Sequence, residues 1–350
     1  MIPISSRFAR RLVASVAALL AGIALAQVPA PAAYQGTDRL QRLVEGAKRE
    51  GEVTIYTSTP VDDMKVLADA FERQYGVKAK VWRASSEKVL QRGLAEARAG
   101  RFDADVFETN GPEMEALVRE RLLEPVQSPA FADLVPEARF AHRMWVGARL
   151  VIFAIAYNTA LVRKADLPAS YEGFADPRWK GRLGIEAEDS DWFATLSGVI
   201  GEAKAEKLFR DIVATNGVSV RKGHTLLANL VASGEVPVAL TVYNYKAEQL
   251  KSKGAPIDWY VIPPAIARVN GVGVAAKAPH PHAALLFYEF MIGAEGQKLL
   301  LSRDFVPTNR NVETPLNRFP LRFVDPRAVV DEAAKWERRY DAIFGAQRPR

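Results

Sequence analysis

The sequence predicts an α/β protein, and three observations carry that expectation. Short β-rich runs alternate with stretches of helical apolar spacing from Thr37 onward. The same alternation resumes after the apolar run 150–157. Finally, 350 residues, 49% hydrophobic and 25% charged, can bury a large core and divide it into two lobes. Leu40, Leu43, Val44 and Ala47 form one helical stripe, and the run 53–56 is a strand ended by Thr57-Ser58-Thr59-Pro60. Met64, Leu67, Phe71 and Tyr75 mark a helix stopped by Gly76, and 77–82 a second strand. Ser85-Ser86 opens a helix carrying Val89, Leu90 and Leu94, and 104–107 is a third strand. Strands separated by helices of this length imply βαβ units and a mainly parallel sheet. In the second block, helices are expected around Trp192 and Leu196, around Leu208 and Ile212, and around Leu226 and Leu230. A buried strand follows at 236–242, then a strand at 272–276, a helix from Pro281 and a charged helical tail from Val324 that straps the surface.

The first 26 residues stand apart from this pattern. Arg7, Arg10 and Arg11 precede the apolar run 12–25, and Ala24-Leu25-Ala26 fits the small-x-small cleavage rule. Residues 1–26 are expected to be an export signal and 27–36 a linker. Removing that signal takes away three arginines and no acid, so the net charge falls from +6 to +3 and nucleic acid is not an expected partner. The absence of cysteine excludes a disulfide framework, a thiolate metal site and a cysteine nucleophile. Export without cysteine fits a bacterial periplasm.

Enzyme signatures are absent. There is no G-x-S-x-G elbow, no phosphate loop and no H-E-x-x-H helix. The stretch 271–276 matches G-x-G-x-x-A, but Lys277-Ala278-Pro279 stands where the pattern needs a helix. The four histidines, at 142, 224, 280 and 282, are scattered, so neither a metal site nor a cofactor is expected. An exported hydrolase would need a nucleophile–base pair, and none stands out.

What remains is a set of polar residues at strand-to-helix junctions: Thr57 and Ser58, Ser85 and Ser86, Asn110, Asp189 and Ser190, then Tyr243 and Tyr245 after the strand 236–242. In a parallel sheet these junctions gather at one edge, where helix N-termini offer free N–H groups to an anion. Each alone also fits an ordinary helix cap. Period-two geometry puts Tyr243 and Tyr245 on one side of a strand, and Trp192 is a candidate stacking surface.

The chain then resembles bacterial periplasmic solute-binding proteins of the ferric-ion-binding type. The resemblance runs through 51–56, 67–71 and 104–107, then Leu122-Leu123-Glu124-Pro125, Trp179-Lys180-Gly181-Arg182, 234–240 and Gly296-Gln297-Lys298. It implies the type 2 periplasmic binding fold: lobe 1 from 37–147 plus 273–350, lobe 2 from 148–272, and crossover strands near 148–157 and 265–272. It also implies a monomeric receptor without catalysis, which closes on a small-molecule or ion ligand and delivers it to an ABC permease in the inner membrane. Iron-binding members place a histidine after the first strand, where this chain has Pro60 or its neighbours. They place a glutamate where Asn110 fills the slot (Glu108 comes slightly early), and two adjacent tyrosines where this chain has Tyr243-Asn244-Tyr245. The expected ligand is therefore an organic or phosphorylated anion, with ferric iron as the alternative.

Overall fold

The computed structural model describes residues 31–347, so the expected export signal and the first four residues of the linker lie outside the described residues. The alternation read from the sequence becomes a single path of strands. In chain order these are β1 (Glu52–Thr57), β2 (Lys78–Arg83), β3 (Val106–Asn110), β4 (Val146–Asn158), β5 (Leu183–Glu186), β6 (Ser219–Arg221), β7 (Val238–Tyr243), β8 (Ile257–Tyr260), β9 (Ala265–Val274), β10 (Val306–Pro307) and β11 (Leu321–Phe323). Their spatial order is β2-β1-β3-β9-β4-β7-β5-β6, with β8 and β10 pairing β4 and β11 pairing β9.

Two parallel blocks flank an antiparallel centre. β1 pairs β2 and β3 in parallel, and β5 pairs β6 and β7 in parallel. β4 and β9 run antiparallel to each other, with β3 antiparallel to β9 on one side and β7 antiparallel to β4 on the other. Every residue of β4 and β9 is buried, as a strand covered on both faces requires. β4 was legible as the apolar run 150–157 for that reason, whereas β9 was expected in part as a strand at 272–276 and in part, from the resemblance, as a crossover near 265–272. The short pieces β8, β10 and β11 carry no pattern that the sequence reading recognised.

The helices are α1 (Arg39–Glu50), α2 (Val61–Tyr75), α3 (Ser86–Arg98), α4 (Gly111–Arg119), α5 (Ser190–Ile200), α6 (Glu202–Asn216), α7 (His224–Ser233), α8 (Asn244–Ser252), α9 (Pro281–Ile292), α10 (Ala294–Leu301) and α11 (Pro326–Phe344). α2 follows β1, α3 follows β2 and α4 follows β3; α5, α7 and α8 follow β5, β6 and β7. Six helix N-termini therefore sit beyond strand C-termini, the edge where ligands of open α/β sheets bind.

Among the described residues the apolar core forms four clusters. Val53, Ile55, Leu67, Phe71, Phe287 and Phe290 form part of a cluster in the first half, and Trp179, Trp192, Phe193, Phe209 and Leu240 part of one in the second. The tail departs from the expected division, which gives 273–350 wholly to the first lobe. Trp336, Tyr340, Ile343 and Phe344 of α11 are buried in the second half's cluster, because its apolar face meets Phe193 of α5 and Phe209 of α6. Only its first turns reach the first half, through Arg119–Asp331 at 2.8 Å and Arg327–Glu115 at 3.4 Å. The glycines of the G-x-G-x-x-A stretch lie inside β9 and serve packing. A Cβ on Gly271 would come within 2.4 Å of the Trp145 ring. No helix among the described residues is long and apolar enough to cross a membrane.

Candidate binding site between the two halves

The site grows from two arginines that interrupt largely apolar strands. Arg149 lies on β4 and Arg268 on β9, both buried. Arg149 pairs with Asn270, and Val151 with Arg268, in the β4–β9 ladder. Directly opposed residues share a face and residues two apart on a strand share it too, so Arg149, Asn270 and Arg268 project from one face.

On the first half, Thr57 Oγ1 at the end of β1 donates to the Glu108 carboxylate and accepts the Thr59 N–H at 2.9 Å. Thr59 Oγ1 donates to Glu108 at 2.8 Å, and Arg149 Nη2 donates to Thr59 Oγ1 at 2.8 Å. Arg149 Nη2 also lies 3.5 Å from Glu108 Oε1, and its guanidinium stacks over the Phe305 ring at 4.5 Å. Tyr245 meets the same Phe305 ring, with centroids 4.3 Å apart. Tyr245 belongs to α8 of the second half, so this contact bridges the halves.

The second half continues the network. The Tyr243 and Tyr245 rings stack 6.0 Å apart. Arg268 Nη1 donates to Tyr243 Oη at 2.7 Å, and Arg268 Nη2 donates to Asp191 at 2.6 Å while lying 3.9 Å from Asp189. His224, at the start of α7, stacks on Tyr243 with centroids 3.4 Å apart, and its Nε2 lies 3.2 Å from Asp189 Oδ1. Ligand-type atoms of Glu186, Asp189 and His224 all lie within 4.8 Å of one another. Both Glu186 oxygens already accept backbone N–H groups, from Gly223 at 2.8 Å and Glu188 at 2.5 Å, which ties the β5–α5 and β6–α7 loops together.

Burial shapes the electrostatics. It raises the Tyr243 phenol well above its ordinary value and raises Tyr245 as well, with Arg268 and Arg149 respectively opposing the shift. Burial also pushes the Glu113 carboxyl, in the first turn of α4, up to about 7 against the pull of Arg268. Glu186 is pushed up to about 7 by burial and by the neighbouring Asp189 charge.

The residues expected from the sequence fall into three groups. Thr57, Asn110, Asp189, Tyr243 and Tyr245 are parts of the network, Asn110 through its Oδ1, which accepts from Asn270 at 3.3 Å. Ser58, Ser86 and Ser190 are half-buried; Ser86 and Ser190 are the first residues of α3 and α5, as a helix-start reading requires. Ser85 is exposed and caps α3, accepting the Lys88 N–H at 3.4 Å. Trp192 must be corrected. Its ring is buried between Tyr171 and Phe209 in the second core, which leaves no face for a ligand. The shared strand of Tyr243 and Tyr245 is also corrected: β7 ends at Tyr243, and Tyr245 sits in the first turn of α8, so the helical turn and not the pleat brings the rings together. Arg149, Arg268, Asp191, Glu108 and His224 were not singled out as binding residues. For the arginines a signal existed, since a charge inside a long buried strand must be paired or functional.

The profile of the family described as "Bacterial extracellular solute-binding protein" matches residues 57–298, most of the described chain. This chain is a member of that family. Among its relatives, the Fe(3+)-binding periplasmic protein of Serratia marcescens is 27% identical over 273 residues, covering 74% of this chain and 79% of the relative. The major ferric iron-binding protein of Neisseria meningitidis serogroup B is 25% identical, covering 77% and 85%. Solved structures share the fold. AfuA from Actinobacillus pleuropneumoniae, with exogenous fructose-6-phosphate bound, superposes with a TM-score of 0.74 at 22% identity, covering 84% of this chain and 99% of its own. Iron-bound HitA from Pseudomonas aeruginosa gives 0.72 at 23% identity, covering 83% and 99%. The architecture is the type 2 periplasmic binding fold, with the antiparallel pair β4 and β9 at its centre.

Proposed function

We propose that this solute-binding protein is exported to the periplasm, captures a small organic or phosphorylated anion between its halves and delivers it to an ABC permease. The observation that carries this reading is the pair of buried arginines on the crossover strands. Arg149 Nε and Nη1 and Arg268 Nε are buried donors without a hydrogen-bond partner. A buried unpartnered guanidinium N–H costs free energy that an incoming oxyanion would recover, and Arg suits carboxylate or phosphate geometry. Contacts from both halves would favour the closed state, which is the state a permease can recognise. The phosphate ester carried by AfuA supports a ligand of this chemistry.

Ferric iron is the second reading, favoured by the names of the relatives and by the paired tyrosines. Against it, a cation at Tyr243 Oη would face the Arg268 guanidinium 2.7 Å away, and burial holds both phenols protonated. Ferric ligation would require phenolate and would absorb visible light by charge transfer. After incubation with ferric citrate and removal of the excess, the protein should be colourless. A stable visible band that disappears in Tyr245→Phe would overturn the anion reading.

A further inference from the structure

Three side chains able to ligate a metal meet in the second half, where two neighbouring loops leave the sheet. β5 and β6 pair in parallel with Glu186 opposite Arg221, so the turns into α5 and α7 run side by side. Glu186 ends β5, Asp189 precedes the first turn of α5, and His224 opens α7. One ligand-type atom from each lies within 4.8 Å of the other two. His224 Nε2 stands 3.2 Å from Asp189 Oδ1. Two ligands of a tetrahedral zinc ion, each bonded at roughly 2.0–2.1 Å, stand about 3.3 Å apart, so this pair already has the spacing of two zinc ligands.

The charges at this cluster do not balance. Glu186 and Asp189 are both more than nine-tenths buried, and Asp189 Oδ2 has no hydrogen-bond partner. The buried His224 Nδ1 has none either. Glu186 accepts the Gly223 and Glu188 N–H groups, which orient its carboxylate, bring no cation and leave a lone pair on each oxygen. Arg268 is a near cation, but its Nη2 is committed to Asp191 at 2.6 Å and lies 3.9 Å from Asp189. Two buried carboxylates thus face one imidazole, and buried charge persists where it is paired or bound to a metal. His224 is held in place by its stacking on Tyr243, with centroids 3.4 Å apart.

We propose that Glu186, Asp189 and His224 form a site for one divalent transition cation, zinc by its ligand set, held wholly by the second half. One imidazole and two carboxylates are ligand types zinc accepts, and three protein ligands leave a fourth position open. The acids supply the negative charge, so the site needs no phenolate and differs from ferric ligation by Tyr243 and Tyr245. It stands independently of the anion reading. A bound ion staples the β5–α5 and β6–α7 loops and fixes His224 against Tyr243. The scatter of histidines along the sequence concealed it, because one imidazole is enough beside two carboxylates.

The probe is zinc alone. Full-length mature protein, stripped with a chelator, is titrated calorimetrically with zinc chloride, and the loaded protein is examined by zinc X-ray absorption. One ion per chain is expected, in a shell of oxygens with a single imidazole. His224→Ala and Asp189→Asn should each weaken binding by about 10-fold or more, since disturbing even the outer shell of such sites costs that much. Tyr245→Phe and His282→Ala should leave it unchanged. No binding by the parent overturns the site, and so does a shell with two imidazoles. Loss in His282→Ala rather than in His224→Ala reveals an adventitious surface ion and overturns it too. Loss confined to Tyr245→Phe moves the metal to the tyrosines, with the same consequence. The absorption spectrum of the unmodified protein decides the matter even if a variant fails to fold. Failure leaves the anion reading in place, because neither Arg149 nor an anionic probe enters the test.

Discussion

Arg149 and Arg268 concentrate the chemistry of this chain at two side chains. Each is buried on a strand whose neighbours are apolar, and each is held by acids on one edge while other N–H groups lack partners. Replacing Arg149 by Gln removes donors to the ligand and leaves Glu108 less well paired. Affinity for a phosphate-bearing probe should fall roughly 10- to 100-fold, the scale of one or two hydrogen bonds to a charged group. Calorimetry on protein of parental circular dichroism checks this, and unchanged affinity would remove Arg149 from the site. The acids give a second prediction at this scale. Glu113 and Glu186 have folded values near 7 against an ordinary 4.5, so they bind protons more tightly folded than unfolded. Their contribution to stability is full below pH 4.5 and is lost as pH rises toward 7. Thermal melts between those values should show Glu113→Gln gaining on the parent as pH rises. Sequence reasoning reached Thr57, Asn110, Asp189, Tyr243 and Tyr245 because junction residues follow from topology. It missed His224, since nothing in the spacing of residues 189 and 224 puts them 3.2 Å apart.

At the scale of elements, the main strands and helices were legible because period-two and period-3.6 patterns differ over a dozen residues. Tyr243-Asn244-Tyr245 was not, because three residues fit either period and β7 passes into α8 without a linker. α11 shows the same limit: its charge suggested a surface strap, whereas one face carries Trp336, Tyr340 and Phe344 into the second core. Burial sets the energy scale here. Trp336→Ala should cost roughly 3–5 kcal/mol by cavity formation and lost transfer energy. Arg119→Ala removes a half-exposed ion pair with Asp331 and should cost no more than about 1 kcal/mol. Denaturant titration of both variants checks the contrast, and a similar cost for both would mean that the ion pair, not the apolar face, anchors the tail.

Over the whole molecule, the proposed cycle requires the halves to part and close about β4 and β9. One polar cluster around Asp63 also joins them. Asp63 of α2 receives Arg303 Nη2 at 2.7 Å and, from α8 in the second half, Gln249 Nε2 at 3.2 Å, with Lys246 Nζ 3.6 Å away. Removing the α8 side of that tie, in Gln249→Ala combined with Lys246→Ala, should shift the ligand-free protein toward open forms. Solution X-ray scattering would then give a larger radius of gyration than the parent, while an unchanged value would show that the tie does not hold the halves together.

The sequence relatives are named for ferric iron and a structure of the same fold holds a phosphate ester, and in the proposed reading the buried arginines favour the second chemistry. Native mass spectrometry of protein purified gently from the cell that makes it tests this most directly. The account predicts a bound species released on mild activation as an organic anion with a carboxylate or phosphate. Release of iron, alone or with a simple inorganic anion, would contradict it.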